Sequence, residues 1–292
     1  MFRKSISIFA LVVLGTMPFN LKAQSTVTKT FSEDLLIENE DIIQVIGEKA
    51  NIYVTKSTSD QLKLKVTFKA THANKSTADK ELEYVRYGLF RENDAIQIRN
   101  SFILPSNVDR IESMLEVLFE LAIPPDQRVK ITNQYGNVEI IDFKGTLDID
   151  LKFCDLLLDR VNGKATMKTS FSKVHGRNVG FSAMESRDDK SHVFMNINSG
   201  SYRFKSTYGD LILSLDNVQD LHVESKRTDV VLTPETFEQF DYHLLSEGGT
   251  IYIPGEYTHL LKKEGKKVLF LTNEPSKPTI KISTDYNTIT VN

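Results

Sequence analysis

NQYGNVEI at positions 133–140 is echoed by LKFCDLLL (151–158), TSFSKVHG (169–176), STYGDLIL (206–213), SKRTDVVL (225–232), SEGGTIYI (246–253) and TDYNTITV (284–291). Each reads as two mostly polar residues, often an aromatic, a mostly small residue, a turn former, then apolar-any-apolar. The third positions are Tyr135, Phe153, Phe171, Tyr208, Arg227, Gly248 and Tyr286, with gaps of 18, 18, 37, 19, 21 and 38. The long gaps divide at Lys190 (DDKSHVFM) and Gly265 (KEGKKVLF), giving about nine degenerate units. A fixed short period is the mark of a chain that stacks one small unit on the next.

A second apolar pair stands six and four residues before each reference position: Val129/Ile131, Leu147/Ile149, Ala165/Met167, Tyr202/Phe204, Leu221/Val223, Tyr242/Leu244 and Ile280/Ile282. Three units miss one apolar slot each, at Gly176, Ser186 and His259. Spacing of two within each pair means β-strand with one face buried. The inner slots at −4 and +3 lie an odd number of positions apart, so alternation cannot run through and the chain must turn a corner between them. Gly136, Gly209, Gly249, Asn137, Asp155, Asp210 and Asp229 sit there, residue types that accept left-handed backbone or bond their own turn. The expected fold is all-β: a β-solenoid of 18–21-residue units over 126–292, with a β-sandwich of hairpins as the alternative.

Residues 24–125 read as a separate β-rich region. GEKANIYV (47–54) fits the unit, LKLKVTFKA (62–70) alternates as a strand, and AIQIRNSFIL (95–104) follows a turn at Arg91–Ala95. One short helix is expected between them, with Ser76 as N-cap, Asp79 in the first turn, and Leu82, Val85 and Leu89 on one face. SMLEVLFELAIP (113–124) is read as a strand because Leu115, Val117, Phe119, Leu121 and Ile123 alternate.

The first 23 residues read as a secretory signal peptide: Arg3 and Lys4, an apolar stretch from Ile6 to Met17, Pro18, and Leu21-Lys22-Ala23. That stretch is short for a bilayer span and no second one follows, so a mature chain without a transmembrane anchor is expected. Removing residues 1–23 leaves 269 residues with 33 cations and 39 acids, a net charge of −6. No strongly basic segment offers phosphate neutralisation, which argues against a nucleic-acid partner. The single cysteine, Cys154, cannot close an intrachain disulfide.

With its signal peptide, its early GEKANIYV unit, the segment IPPDQRVKITNQYGNVEI (123–140) and the Tyr-Gly-Asn/Asp-apolar units, the chain resembles the bacterial β-strand-repeat family named "putative adhesins", of unknown function. The resemblance implies a β-helix-like fold and an envelope location, and supplies no catalytic residues.

No catalytic motif emerges from the residues. Cys154 occupies a slot that is Gly136 and Gly209 in sister units, so packing explains it better than nucleophilic chemistry. The histidines His72, His175, His192, His222, His243 and His259 lack metal-ligand spacing, although His175 and His192 fall one unit apart. Asp148, Asp150, Asp155 and Asp159 lack the glycine-rich nonapeptide of calcium-binding rolls and read as a solvated face. No cofactor is expected. The most suggestive feature is the partial aromatic column Tyr135, Phe153, Phe171, Tyr208 and Tyr286, either a ligand platform or a packed ladder that stabilises the corner.

The expected function is therefore that of a non-enzymatic exported protein, periplasmic, surface-attached or secreted, with an adhesin-like or scaffolding surface for a glycan or an envelope protein. The alternative is a polysaccharide lyase or hydrolase on a parallel β-helix, which needs clustered carboxylates or a base. Asp142, Asp159 and Lys164 are its only candidates near corners. A third reading, an accessory of envelope-stress or surface-assembly systems, has no signature in the residues.

Overall fold

The computed structural model describes residues 24–38 and 40–292; the signal-peptide reading lies outside them. In chain order the elements are β1 (Ser25–Leu36), β2 (Ile42–Glu48), β3 (Ala50–Lys56), β4 (Gln61–His72), α1 (Lys75–Leu82), β5 (Val85–Glu92), β6 (Ala95–Phe102) and β7 (Met114–Ile123). Then follow β8 (Gln127–Ile141), β9 (Lys144–Ser170), β10 (Lys173–Pro234), β11 (Asp241–Glu247), β12 (Thr250–Tyr252), β13 (Lys262–Glu264), β14 (Lys267–Leu271), β15 (Thr279–Asp285) and β16 (Thr288–Val291). The protein is all-β, with its 16 strands joined in one large mixed sheet.

The repeat is visible as parallel pairing at a constant offset. Val129 and Ile131 stand beside Leu147 and Ile149, and Val138 and Ile140 beside Leu156 and Leu158. One unit on, Leu156 and Leu158 face Val174 and Gly176. Like slots thus stand beside like slots, and the apolar ones are buried with almost no exposure. Gly176, one of the unfilled slots, leaves room that the Met195 side chain occupies: a Cβ on Gly176 would lie 2.8 Å from Met195 Cγ. Ser186, another, is buried and bonds Asp188.

The corner has a different agent from the one expected. In every stacked unit the reference residue itself takes the left-handed conformation: Tyr135, Phe153, Phe171, Lys190, Tyr208, Arg227 and Tyr286 have φ between 50° and 67°. A single left-handed residue reverses the side-chain alternation, and this lets both −4 and +3 point inward. The small residue that follows is set by close approach. A Cβ on Gly136 would lie 2.2 Å from Ala50 O, and one on Gly209 2.0 Å from Ser191 O.

Two further departures concern the ends of the stack. Gly265 is not the centre of a unit; it is the turn of an antiparallel hairpin, β13 to β14, with φ 60°. His259, its missing slot, lies in the exposed 3-10 turn Gly255–Leu260. The unit around Tyr286 also leaves sequence order. β15 pairs with β10 on one side and β11 on the other, so Tyr286 stands between Arg227 and Gly248. At the other end GEKANIYV joins the stack, with Lys49 (φ 51°) donating its N–H to Gln134 O at 2.8 Å.

Antiparallel strands border the parallel ladders. β14 and β13 follow β11, while β4 and β1 follow β7, and β5 follows β6. The helix is shorter than the pattern predicted. Asn74 caps α1 by accepting the Ser76 N–H at 2.9 Å, and the helix ends at Leu82. Val85 and Leu89 lie on β5 instead, where pairing with β6 outweighs the helical spacing of the leucines. The strands expected at 62–70, 95–104 and 113–124 are β4, β6 and β7.

Candidate functional site

The left-handed corners line up along one border of the stack. In spatial order the column is Lys49, Tyr135, Phe153, Phe171, Lys190, Tyr208, Arg227, Tyr286 and Gly248. All five aromatic residues singled out from the sequence belong to it, and each ring stays 39–64% exposed. They are not one continuous stack. Tyr135 and Phe153 stack at 5.1 Å with 4° between their planes, and Phe153 and Phe171 at 5.0 Å and 22°. Lys190 then caps Phe171 with its Nζ 4.7 Å from the ring centre. Arg227 covers Tyr208 at 5.3 Å and donates from Nη1 to the Tyr208 hydroxyl at 2.7 Å. Tyr286 rests against Gly248, where a Cβ would come within 3.1 Å of the ring.

This geometry fixes what the column offers. The faces of Phe153 are covered by its neighbours, so incoming groups meet ring edges, which carry the positive end of the ring quadrupole. The cations Lys190 and Arg227 are held over rings, with their outer sides open to water. Their place in the column follows from the period, yet the expectation of aromatic residues there concealed them.

Behind the column, each corner is closed by a small-residue file. Ser172 Oγ accepts the Cys154 N–H at 3.1 Å, and Ser191 Oγ accepts the Ser172 N–H at 3.2 Å. Cys154 belongs to this file. It is 3% exposed, its Sγ lies 3.3 Å from Lys152 O, and burial pushes its thiol up to about 11. That environment disfavours the thiolate on which nucleophilic chemistry depends.

One step inward, Thr169 and Asp188 occupy the same slot on adjacent units. Asp188 is 3% exposed and accepts from Thr169 Oγ1 at 2.6 Å and Ser186 Oγ at 2.9 Å. Burial pushes its carboxyl up to about 6, against the pull of those two hydroxyl bonds.

The two long outer faces differ. The face leading into the corner is laced with charge, including Lys168 to Asp150 at 3.7 Å and Arg203 to Glu185 at 3.8 Å. The face leading away carries the outward stripe Leu157, His175, Phe194, Ile212, Val231 and Tyr252, most of it half-buried, four residues beyond the column. His175 stacks on Phe194 at 5.3 Å and 11°. The inward-slot pattern hid this stripe, whose signal is an apolar residue recurring at the outward +4 position.

The remaining candidates separate. His175 and His192 are not apposed: His175 faces Phe194, while His192 Nδ1 bonds Asp210 Oδ2 at 2.5 Å. Asp142 and Asp159 meet on Arg160, at 2.5 Å and 2.6 Å. The Arg160 guanidinium holds the Asp142 carboxyl below its ordinary range, the opposite of what a general acid needs. Lys164 is exposed and makes no ion pair among the described residues.

No family model and no curated protein matches this chain. Among solved structures it is similar to a "putative adhesin" of Bacteroides fragilis, with 10% identity over 90% of this chain and 97% of that one, at a TM-score of 0.49. A "putative lipid binding protein" of Parabacteroides distasonis gives 9% identity, 90% and 96% coverage and a TM-score of 0.48. A "putative adhesin" of Parabacteroides merdae gives 12% identity, 90% and 96% coverage and a TM-score of 0.43.

Proposed function

We propose that this is an exported, non-enzymatic envelope or secreted protein. In this reading its parallel ladders wind as a β-solenoid over 126–292, preceded by a distinct N-terminal region over 24–125. Its corner column, with the adjoining apolar stripe, forms an adhesin-like or scaffolding surface for an extended glycan or an envelope protein. One observation carries the reading: large rings occupy positions whose backbone favours glycine or asparagine, and they remain exposed. A left-handed non-glycine residue costs about 1–2 kcal/mol. Stacking returns about 0.5–1.5 kcal/mol per pair to Tyr135, Phe153 and Phe171. Tyr286 makes no ring pair among the described residues and is the most exposed of the five. A stabilising ladder leaves it unexplained, whereas a ligand-facing column does not.

The experiment is binding of the purified protein to a glycan array and to whole cells, using Tyr286→Ala and the double variant Phe171→Ala/Tyr208→Ala. Binding reduced at least about tenfold, with the melting temperature of Tyr286→Ala unchanged, is the expected result. Undiminished binding by folded variants would remove the column from the contact surface.

A further inference from the structure

β1 is the longest strand on an open border of the sheet. It pairs along its whole length with β4, from Ser25 beside His72 to Leu36 beside Gln61, without a register slip. Among the described residues no strand lies on its other side. The opposite border is guarded in the usual way: β13 is three exposed residues, Lys262, Lys263 and Glu264, too short and too charged to recruit a strand. β1 has twelve residues and neither proline nor bulge.

What β1 carries instead is a palindrome of charge and size around Phe31. Val27, Phe31 and Leu35 are half-buried on the inner face, and Lys29 and Glu33 stand between them on that face, exposed. With a second β1 laid antiparallel so that Phe31 faces Phe31, Val27 meets Leu35 and Lys29 meets Glu33. On the outer face Thr30 meets Ser32 and Thr28 meets Asp34. A shift of two residues either way sets Lys29 or Glu33 against Phe31, so a single register satisfies both charges. Inward charges on a border strand ordinarily repel foreign strands. Here they neutralise each other only when the incoming strand is a second copy of this one.

We propose that two copies of the chain associate edge to edge through β1, on a two-fold axis at Phe31, each Lys29 facing the other copy's Glu33. The two-fold makes the pairing isologous, so the charge contact forms twice. In the single chain Lys29 reaches Glu83 at 3.5 Å, but both side chains are about half exposed and the contact gives way readily.

The test is sedimentation velocity on the purified protein over a concentration series, with Lys29→Glu, Glu33→Lys and the swapped double variant K29E/E33K. The wild type is expected to dimerise. Each single variant, which sets like charges opposite each other twice, is expected to weaken the dimer at least about tenfold. The double variant is expected to restore it. A wild type that stays monomeric throughout, or a dimer indifferent to both single variants, overturns the proposal. Where a single variant melts early, the double variant decides: a dimer supports the pairing and a monomer refutes it.

Discussion

Between pH 4 and pH 8 the stability of Asp188→Asn relative to the wild type is expected to rise by about 2–3 kcal/mol. The Asp188 carboxyl sits near 6 in the fold against an ordinary value of 3.8, because burial strips it of water and two hydroxyl bonds only partly compensate. The folded-state value is the raised one, so between these pH values the folded chain binds more protons than the unfolded chain. The wild type therefore loses stability as pH climbs from about 4 to about 6 and levels off above, where a charge is buried without a cation. Asparagine keeps the acceptor for Thr169 and Ser186 and does not ionise. Urea unfolding followed by circular dichroism at several pH values measures the difference, in which the other titrating groups cancel. A difference between the two proteins that stays constant with pH would show that the carboxyl is solvated or paired.

Gly209→Ala is expected to cost about 2–6 kcal/mol, combining left-handed strain with overpacking. Gly209 has φ 146°, and its new Cβ would lie 2.0 Å from the Ser191 carbonyl oxygen of the adjacent unit. That obstacle is backbone, held in the ladder, so relief requires two units to part. Gly255→Ala is the control, since nothing lies within 4 Å of its Cβ position. It is expected to change stability by less than about 0.5 kcal/mol. Thermal melts compare the two; equal behaviour would mean the units do not approach as closely as the geometry requires.

The inward slots were legible in the sequence because burial enforces them. Val138, Leu156, Val174, Leu211 and Val230 must be apolar wherever units stack, and the period follows. Lys190 could be placed from spacing alone, despite sharing no chemistry with the rings beside it. Spatial order was less accessible. Nothing local in TDYNTITV tells it to enter between SKRTDVVL and SEGGTIYI, because all three present the same slots. KEGKKVLF matched three of four slots and still became a hairpin: Gly265 at φ 60° turns the chain straight back, and Lys267–Leu271 pairs antiparallel with β11. The left-handed rings at the corner were hidden for a further reason. Intrinsic preference points to the neighbouring glycines, and only the packed units on either side hold tyrosine and phenylalanine there. Asp188, too, stood in plain view as one polar residue among many, and its burial is a property of the stack.

The stacking order itself is open to one direct measurement: disulfide formation in paired cysteine variants on a Cys154→Ser background. Adjacent units stand about 4.8 Å apart, within the Cα separation of about 4.4–6.8 Å that a disulfide spans. Arg227→Cys with Tyr286→Cys should therefore oxidise readily to an intrachain bond. Arg227→Cys with Gly248→Cys, two units apart and near 10 Å by the same spacing, should remain reduced. A bond in the second pair and none in the first would mean that the units stack in sequence order, and the column described here would not exist.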